Sequence, residues 1–352
     1  MTHYRYPLII SFLFISSFFI TSCKNDSNPV EPSETEFQGD VFVKNRLLGK
    51  GINLGNALEA PNEGDWGVTL QAEYFSIIKG VGFNSVRIPI KWSAHALQTA
   101  PYTIESRFFQ RVDWAINEAL KNNLAVIINI HHYEEIMQNP SAHKERFLAL
   151  WEQIAEHYKG YSFKLFFEIL NEPNSNLTPQ LWNTYLAEAL EIIRKTNPNR
   201  TVLVGLADWG GTGSLNQLTL PSNENNIILS FHYYNPFQFT HQGAEWVSGS
   251  NAWLGTKWNG SVSEMVAIEN EFNKVIAWAA SKKIPVNLGE FGAYYKADID
   301  SRVRWTSYIV QLCIENNISY NYWEFCAGFG IYDRNTKRFI ESLLFALIPQ
   351  AS

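Results

Sequence analysis

From Asn45 onward the chain alternates between two hydrophobic patterns. Short runs of β-branched, aromatic and other apolar residues at 51–54, 85–90, 125–130, 165–170, 201–205, 227–233, 286–291 and 319–325 read as eight buried strands. Between them, 105–121, 142–158, 179–195, 262–281 and 301–315 carry apolar residues at three- and four-residue intervals, the period of one buried helix face. Asp or Ser ahead of several of these supplies an oxygen for the unpaired N–H groups of the first turn. Strands that alternate with helices imply a parallel sheet, because each parallel pairing needs a crossover long enough to hold a helix. A doubly wound sheet would carry a G-x-G-x-x-G turn after its first strand. Here Gly51-Ile52-Asn53-Leu54-Gly55-Asn56 spaces its glycines wrongly, and no acid closes a second strand. Eight strand–helix units close instead as a (β/α)8 TIM barrel, an α/β fold forming a single domain.

A segment of different character stands ahead of the barrel. His3 and Arg5 give a weakly basic start, 7–20 is apolar, and Ile20-Thr21-Ser22-Cys23 ends the run with small residues. The run falls short of the ~20 apolar residues that a spanning helix needs, so 1–22 reads as an export signal. Its end resembles the bacterial lipobox, which makes Cys23 the expected lipidation site. Residues 23–36, dominated by Ser, Asn, Pro and Glu, read as a flexible tether, and 37–352 as the barrel domain. The expected protein is a monomer, held to a bacterial membrane by lipid alone at the cell surface or in the periplasm, or released from it.

Composition narrows the partners. Net charge is -6, against nucleic acid, whose binding depends on clustered Lys and Arg. Phe, Trp and Tyr make up 14% of the chain, with twelve Trp, a bias that suits stacking on flat faces of a neutral ligand. Cys313 lies in a helical pattern and Cys326 follows a strand, so both are expected as buried free thiols. No Cys/His spacing suggests zinc, and neither a metal nor a cofactor is expected.

Residues just past the strand C-termini line the mouth of such a barrel. Asn56 and Glu59 follow the first strand, Arg87 falls within the second, His131 and His132 close the third, and Asn171 and Glu172 the fourth. His232 and Tyr234 close the sixth, Glu290 the seventh, and Trp323 with Glu324 the eighth. Two facing carboxylates are the minimum for hydrolysing a glycosidic bond, one neutral to donate a proton and one ionised to attack or to activate water. Arg87 and the Tyr234 hydroxyl, if they reach Glu290, would keep it ionised and aimed. The charge of Glu290 would in turn favour a protonated Glu172, the general acid. Glu168, mid-strand, reads as a buried structural acid. Glu324 is weighed equally as a substrate contact, and Glu59 equally as a solvated loop charge. His131 and His132, adjacent on a strand, are expected to point to opposite sides and to hydrogen-bond rather than hold a metal. Trp323 is expected to stack on the sugar beside the scissile bond, with Phe329 widening that platform. Among Trp209, Trp246 and Trp253, the best candidate for an outer sugar site is Trp246.

Asn171-Glu172-Pro173 after a strand, His232-x-Tyr234, Gly289-Glu290-Phe291-Gly292 and Trp323-Glu324 together resemble glycoside hydrolase family 5, the retaining cellulase and mannanase family. The stretches 51–61, 130–135 and 239–246 are similar to a branch typified by a thermophilic endoglucanase that also degrades mannan. The resemblance runs from Asn45 to Ile348. It implies Glu172 as acid/base and Glu290 as nucleophile, with Arg87, Asn171, His131, His132, His232, Tyr234 and Trp323 around the reacting sugar and Asn171 bonded to the 2-hydroxyl. The closer branch adds Asn56, Glu59, His241 and Trp246 as sugar contacts. The expected activity is retaining endo-β-1,4-glucanase on cellulose, β-glucan or glucomannan. The alternatives are a β-mannanase or xyloglucanase, or a glycan-capture lipoprotein without hydrolysis.

Overall fold

The computed structural model describes residues 1–3 and 40–349. The lipobox with Cys23 and the tether lie outside the described residues. β1 (Lys50–Asn53), β2 (Ser85–Ile88), β3 (Ala125–Asn129), β4 (Leu165–Glu168), β5 (Val202–Gly205), β6 (Ile227–Tyr233), β7 (Val286–Phe291) and β8 (Ser319–Tyr322) form a closed parallel barrel. β8 returns to β1 in the register Lys50↔Tyr320, Gly51↔Asn321 and Ile52↔Tyr322. Closure leaves the barrel itself without an edge strand.

Five strands stop short of the apolar runs that announced them, β1 and β3 by a single residue. The runs overshoot because Ile90, Ile130, Ile169, Leu170 and Phe325 stay buried while the chain leaves the sheet and turns over the rim. Backbone bonds His131 N–Ile90 O (2.8 Å) and Asn171 N–Ile130 O (2.9 Å) continue the pairing beyond the strands. The five long helices fall where the periodicity puts them. Ser106–Lys121, for example, buries Phe108, Val112, Ala115, Ile116 and Ala119 along one face. Thr178, Ser261 and Asp298 cap their helices through side-chain oxygens, Ser261 in a reciprocal capping box with Glu264. The link from β5 to β6 holds a 3-10 turn, Thr212–Gln217, in place of a crossover helix.

Alternation along each strand divides the core in two. Val86, Ile88, Val126, Ile128, Phe167 and Val204 face the surrounding helices. Ala125, Ile127, Phe166, Leu203 and Ile228 face inward and form an apolar floor, closed by Val41 and Leu48 of the helix Val41–Leu48. Above that floor the interior turns polar, and the site begins there. Cys313 and Cys326 are buried free thiols, as expected.

Candidate active site

Arg87 on β2 has no solvent exposure and makes five side-chain hydrogen bonds to residues on or beside β1, β4 and β7. Its fork grips Glu168 from Nε (2.6 Å) and Nη2 (2.8 Å). Nη1 donates to Glu290 Oε1 (2.7 Å) and Asn53 Oδ1 (2.8 Å), and Nη2 to Asn171 Oδ1 (2.8 Å). Burial opposes the guanidinium charge, but Glu168 and Glu290 outweigh it and raise the Arg87 pKa. Glu168 closes β4 rather than lying mid-strand, and it is the buried acid that was expected. Asn53, absent from the sequence reading, completes the collar by donating to the Gly289 carbonyl (3.0 Å).

Glu290 is anchored on both oxygens, since Oε2 accepts from the Tyr234 hydroxyl (3.0 Å). Glu172 faces it with fewer restraints. Its side chain is 21% exposed against 6% for Glu290, and its backbone sits at φ 44°, a left-handed conformation costly for a side chain with a Cβ. His232 Nδ1 lies 2.7 Å from Glu172 Oε1 and 3.7 Å from Glu290 Oε2. Burial works against the His232 imidazolium, yet the charge of Glu290 and the bond to Glu172 raise its pKa overall. One ligand atom each from Glu172, His232 and Glu290 fall within 4.8 Å of one another, the one such group among the described residues that could accept a cation. Arg87 already fills the cationic role there, at 2.7 Å from Glu290.

These groups open into a cleft of about 660 Å³. Asn56, Glu59, His131, His132, Asn171, Tyr234, His241, Trp246 and Trp323 all line it, so the residues expected at the site come together. Arg87 and His232 stand behind that lining, bonded to the two carboxylates. Beyond Glu172 a smaller recess of about 130 Å³ is bordered by His132, Asn174 and Trp209. His131 and His132 do not point to opposite sides. The β3 ladder ends at Asn129 and His132 takes φ 50°, which breaks the strand alternation and brings both rings to the cleft, 4.4 Å apart. Burial holds the pKa of His131 well below its ordinary value, and that of His241 down to about 4, so both are neutral hydrogen-bonding rings.

Glu59 is not a solvated loop charge. It is fully buried and accepts the backbone N–H groups of Asn56 and Ala57, with burial pushing its pKa up to about 8. Glu324 is not a substrate contact. It is fully buried, and its carboxylate accepts the N–H groups of Cys326 (2.7 Å), Ala327 (2.8 Å) and Phe329 (3.1 Å), building the turn that carries Phe329. Trp323 lines the cleft parallel to His131 at 5.9 Å, and Phe329 stands beside it. Trp66 and Tyr294 also line the cleft, and sequence reading missed both. Trp66 was findable as an aromatic in the Gly- and Asn-rich loop after β1. Its ring meets His132 edge-on at 5.2 Å. Trp253 packs against Phe237 instead of lining the cleft.

Residues 49–328 match the family described as Cellulase (glycosyl hydrolase family 5). The chain belongs to that family. Endoglucanase H of Acetivibrio thermocellus is 37% identical over 323 residues, which cover 90% of this chain and 34% of the relative. This family 5 chain thus spans about a third of the length of that relative. Thermotoga maritima Cel5A, solved with mannotriose, is 56% identical with a TM-score of 0.86, covering 88% of this chain and 100% of that one. The cellulose synthase subunit Z of Clostridioides difficile is 40% identical with a TM-score of 0.83, covering 86% and 99%.

Proposed function

We propose that this family 5 chain is a retaining endo-β-1,4-glucanase in which Glu172 is the acid/base and Glu290 the nucleophile. The observation that carries the reading is the pairing of two carboxylates in unlike surroundings, one oxygen of each within 4.8 Å. Retaining enzymes hold the pair ~5–5.5 Å apart, whereas inversion leaves ~6.5–9.5 Å for a water between them. Glu290, bonded to Arg87 and Tyr234, is held as the anion that attacks the anomeric carbon. As that carbon–oxygen bond breaks, Glu172 gives its proton to the departing sugar oxygen. In the second step Glu172 takes a proton from water, the water oxygen bonds to the anomeric carbon, and Glu290 leaves. Asn171 accepts from Arg87 at its side-chain Oδ1, which leaves its amide N–H groups for the 2-hydroxyl.

An aromatic-walled cleft, with Trp66, Trp246, Trp323, Tyr294 and Phe329 in its lining, fits a β-1,4-glucan. Relatives named endoglucanases and the cellobiose complex of Cel5A support that polymer, while its mannotriose complex favours glucomannan or mannan as a second substrate. The pattern Ile20-Thr21-Ser22-Cys23 supports a lipid anchor at Cys23. All the groups named above come from one chain, which supports action as a monomer. The deciding experiment follows the first product by proton NMR during hydrolysis of a cello-oligosaccharide. The β-anomer is expected first, and an α-anomer would overturn the retaining assignment. Reducing-sugar release from carboxymethylcellulose, barley β-glucan, glucomannan, mannan, xyloglucan and xylan ranks the polymers. Silence on all six would favour glycan capture.

A further inference from the structure

The loop after β6 carries His241 and Trp246 into the cleft wall, and it is fastened to the segment after β7. Glu245 Oε2 accepts from the Tyr294 hydroxyl (2.6 Å) and Oε1 from Lys296 Nζ (2.7 Å). Lys296 Nζ also donates to the Gly243 carbonyl (2.6 Å). Gly243 sits at φ 66°, and a Cβ there would come within 2.7 Å of both Lys296 Cδ and Leu254, so the lysine stem lies directly on the loop. Backbone bonds Tyr294 N–Thr240 O (2.8 Å) and Tyr295 N–Gly328 O (2.9 Å) tie the same segment to the loop and to the turn that carries Phe329. Trp246 stands edge-on to the Tyr294 ring at 4.9 Å, with Phe329 at 6.1 Å. A ladder of rings leads from it to the reaction centre: His241 lies 6.5 Å from Trp246 and 5.0 Å from Tyr234, whose hydroxyl holds Glu290.

Trp246 is 61% exposed, so it has little packing to fix its position. Glu245 and Lys296 do not line the cleft. We infer that Glu245 and Lys296, with the Tyr294 hydroxyl, form a clamp that fixes Trp246 as a sugar-stacking face, so that affinity for longer chains depends on two charged residues outside the cleft. The inference rests on reading the chain as a β-1,4-glucanase. An unclamped loop must be ordered when the sugar binds, and that ordering is charged against affinity. Stacking on a sugar away from the scissile bond is the same in ground and transition states, so its loss raises KM and leaves kcat alone. Hydrogen bonds from Lys296 and Tyr294 lower the Glu245 pKa to about 2, so the carboxylate stays charged through the working range.

The test compares KM and kcat of wild type, Glu245→Gln, Lys296→Met, Lys296→Arg and Trp246→Ala on cellohexaose and on an aryl cellobioside too short to span the cleft. Glu245→Gln and Lys296→Met are expected to raise KM for the hexasaccharide up to about 5-fold, the factor an exposed ion pair is worth. Their kcat on both substrates, and KM on the short one, are expected to match wild type. Lys296→Arg, which keeps the cation, should stay near wild type, and adding Glu245→Gln to Trp246→Ala should raise KM no further. Unchanged KM in both clamp variants, with KM raised in Trp246→Ala, overturns the clamp alone. Unchanged KM in Trp246→Ala removes the stacking face and the clamp with it. A wild type that leaves cellohexaose intact refutes the glucanase reading itself.

Discussion

Arg87 shows why single residues matter unequally here. Its charge serves two carboxylates from one rigid fork, which a lysine point charge cannot do. Arg87→Lys is therefore expected to lower kcat far more than it changes the fold, with circular dichroism retained and turnover measured on β-glucan. Glu172→Gln should lower kcat on cellohexaose by ~10²–10⁴, the range for a lost general acid. With a dinitrophenyl glycoside, whose leaving group needs no proton, the first-step loss should nearly vanish. An equal loss in the first step on both substrates, read as kcat/KM or as the burst of dinitrophenol, would sink the acid assignment. His232 has its pKa raised by Glu290 and Glu172 against burial. A raised folded-state pKa contributes stability that is full below the unfolded value of ~6.5 and fades as pH rises through the folded one. The melting temperature of wild type relative to His232→Gln is thus expected to fall as pH rises above that point. A difference that grows with pH would contradict the ion-pair account of His232.

At the scale of elements, the barrel separates support from chemistry. The helix Val262–Lys282 starts at a capping box whose Ser261 oxygen receives the Glu264 N–H and whose Glu264 carboxylate receives the Ser261 N–H (2.8 Å). It contributes no side chain to the cleft. Ser261→Ala should therefore cost ~0.5–2 kcal/mol of stability with kcat unchanged. The inner floor behaves differently. Phe166 is wholly buried in the inner floor on β4, two residues before the Glu168 that Arg87 grips. Phe166→Ala should cost ~3–5 kcal/mol by opening a cavity there, and because that cavity undermines the Arg87 collar, kcat should fall as well. Chemical denaturation and turnover on the same samples check both substitutions.

The whole molecule presents a cleft walled mainly by aromatic and uncharged polar side chains on a chain of net charge -6. Stacking and hydrogen bonding to uncharged sugars do not depend on counterions, so KM for β-glucan should hold nearly constant from ~0.01 to ~1 M salt, while Debye screening shortens tenfold. A steep salt dependence would point to an acidic polymer instead. At this scale the site unites β1, β2, β3, β4, β6, β7 and β8, and the pairing of Arg87 with Glu290 joins residues 203 positions apart.

Hydrophobic periodicity alone determined the eight strands, the long helices and the barrel, because strand and helix periods are local properties of the chain. It also placed Glu172 and Glu290 at strand ends, which in a barrel is the mouth. Burial and direction were decided only by the tertiary structure. Glu59 and Glu324 are indistinguishable from solvated rim acids in sequence, yet both are buried and accept backbone N–H groups of their own loops, Glu59 at the cleft wall and Glu324 away from it. His131 and His132 face one cleft because the strand ends before them, a boundary that the continuing apolar run concealed. Asn53, Tyr294 and the Glu245–Lys296 bridge became legible only once the strands closed, because contacts between segments distant in sequence leave no periodic trace.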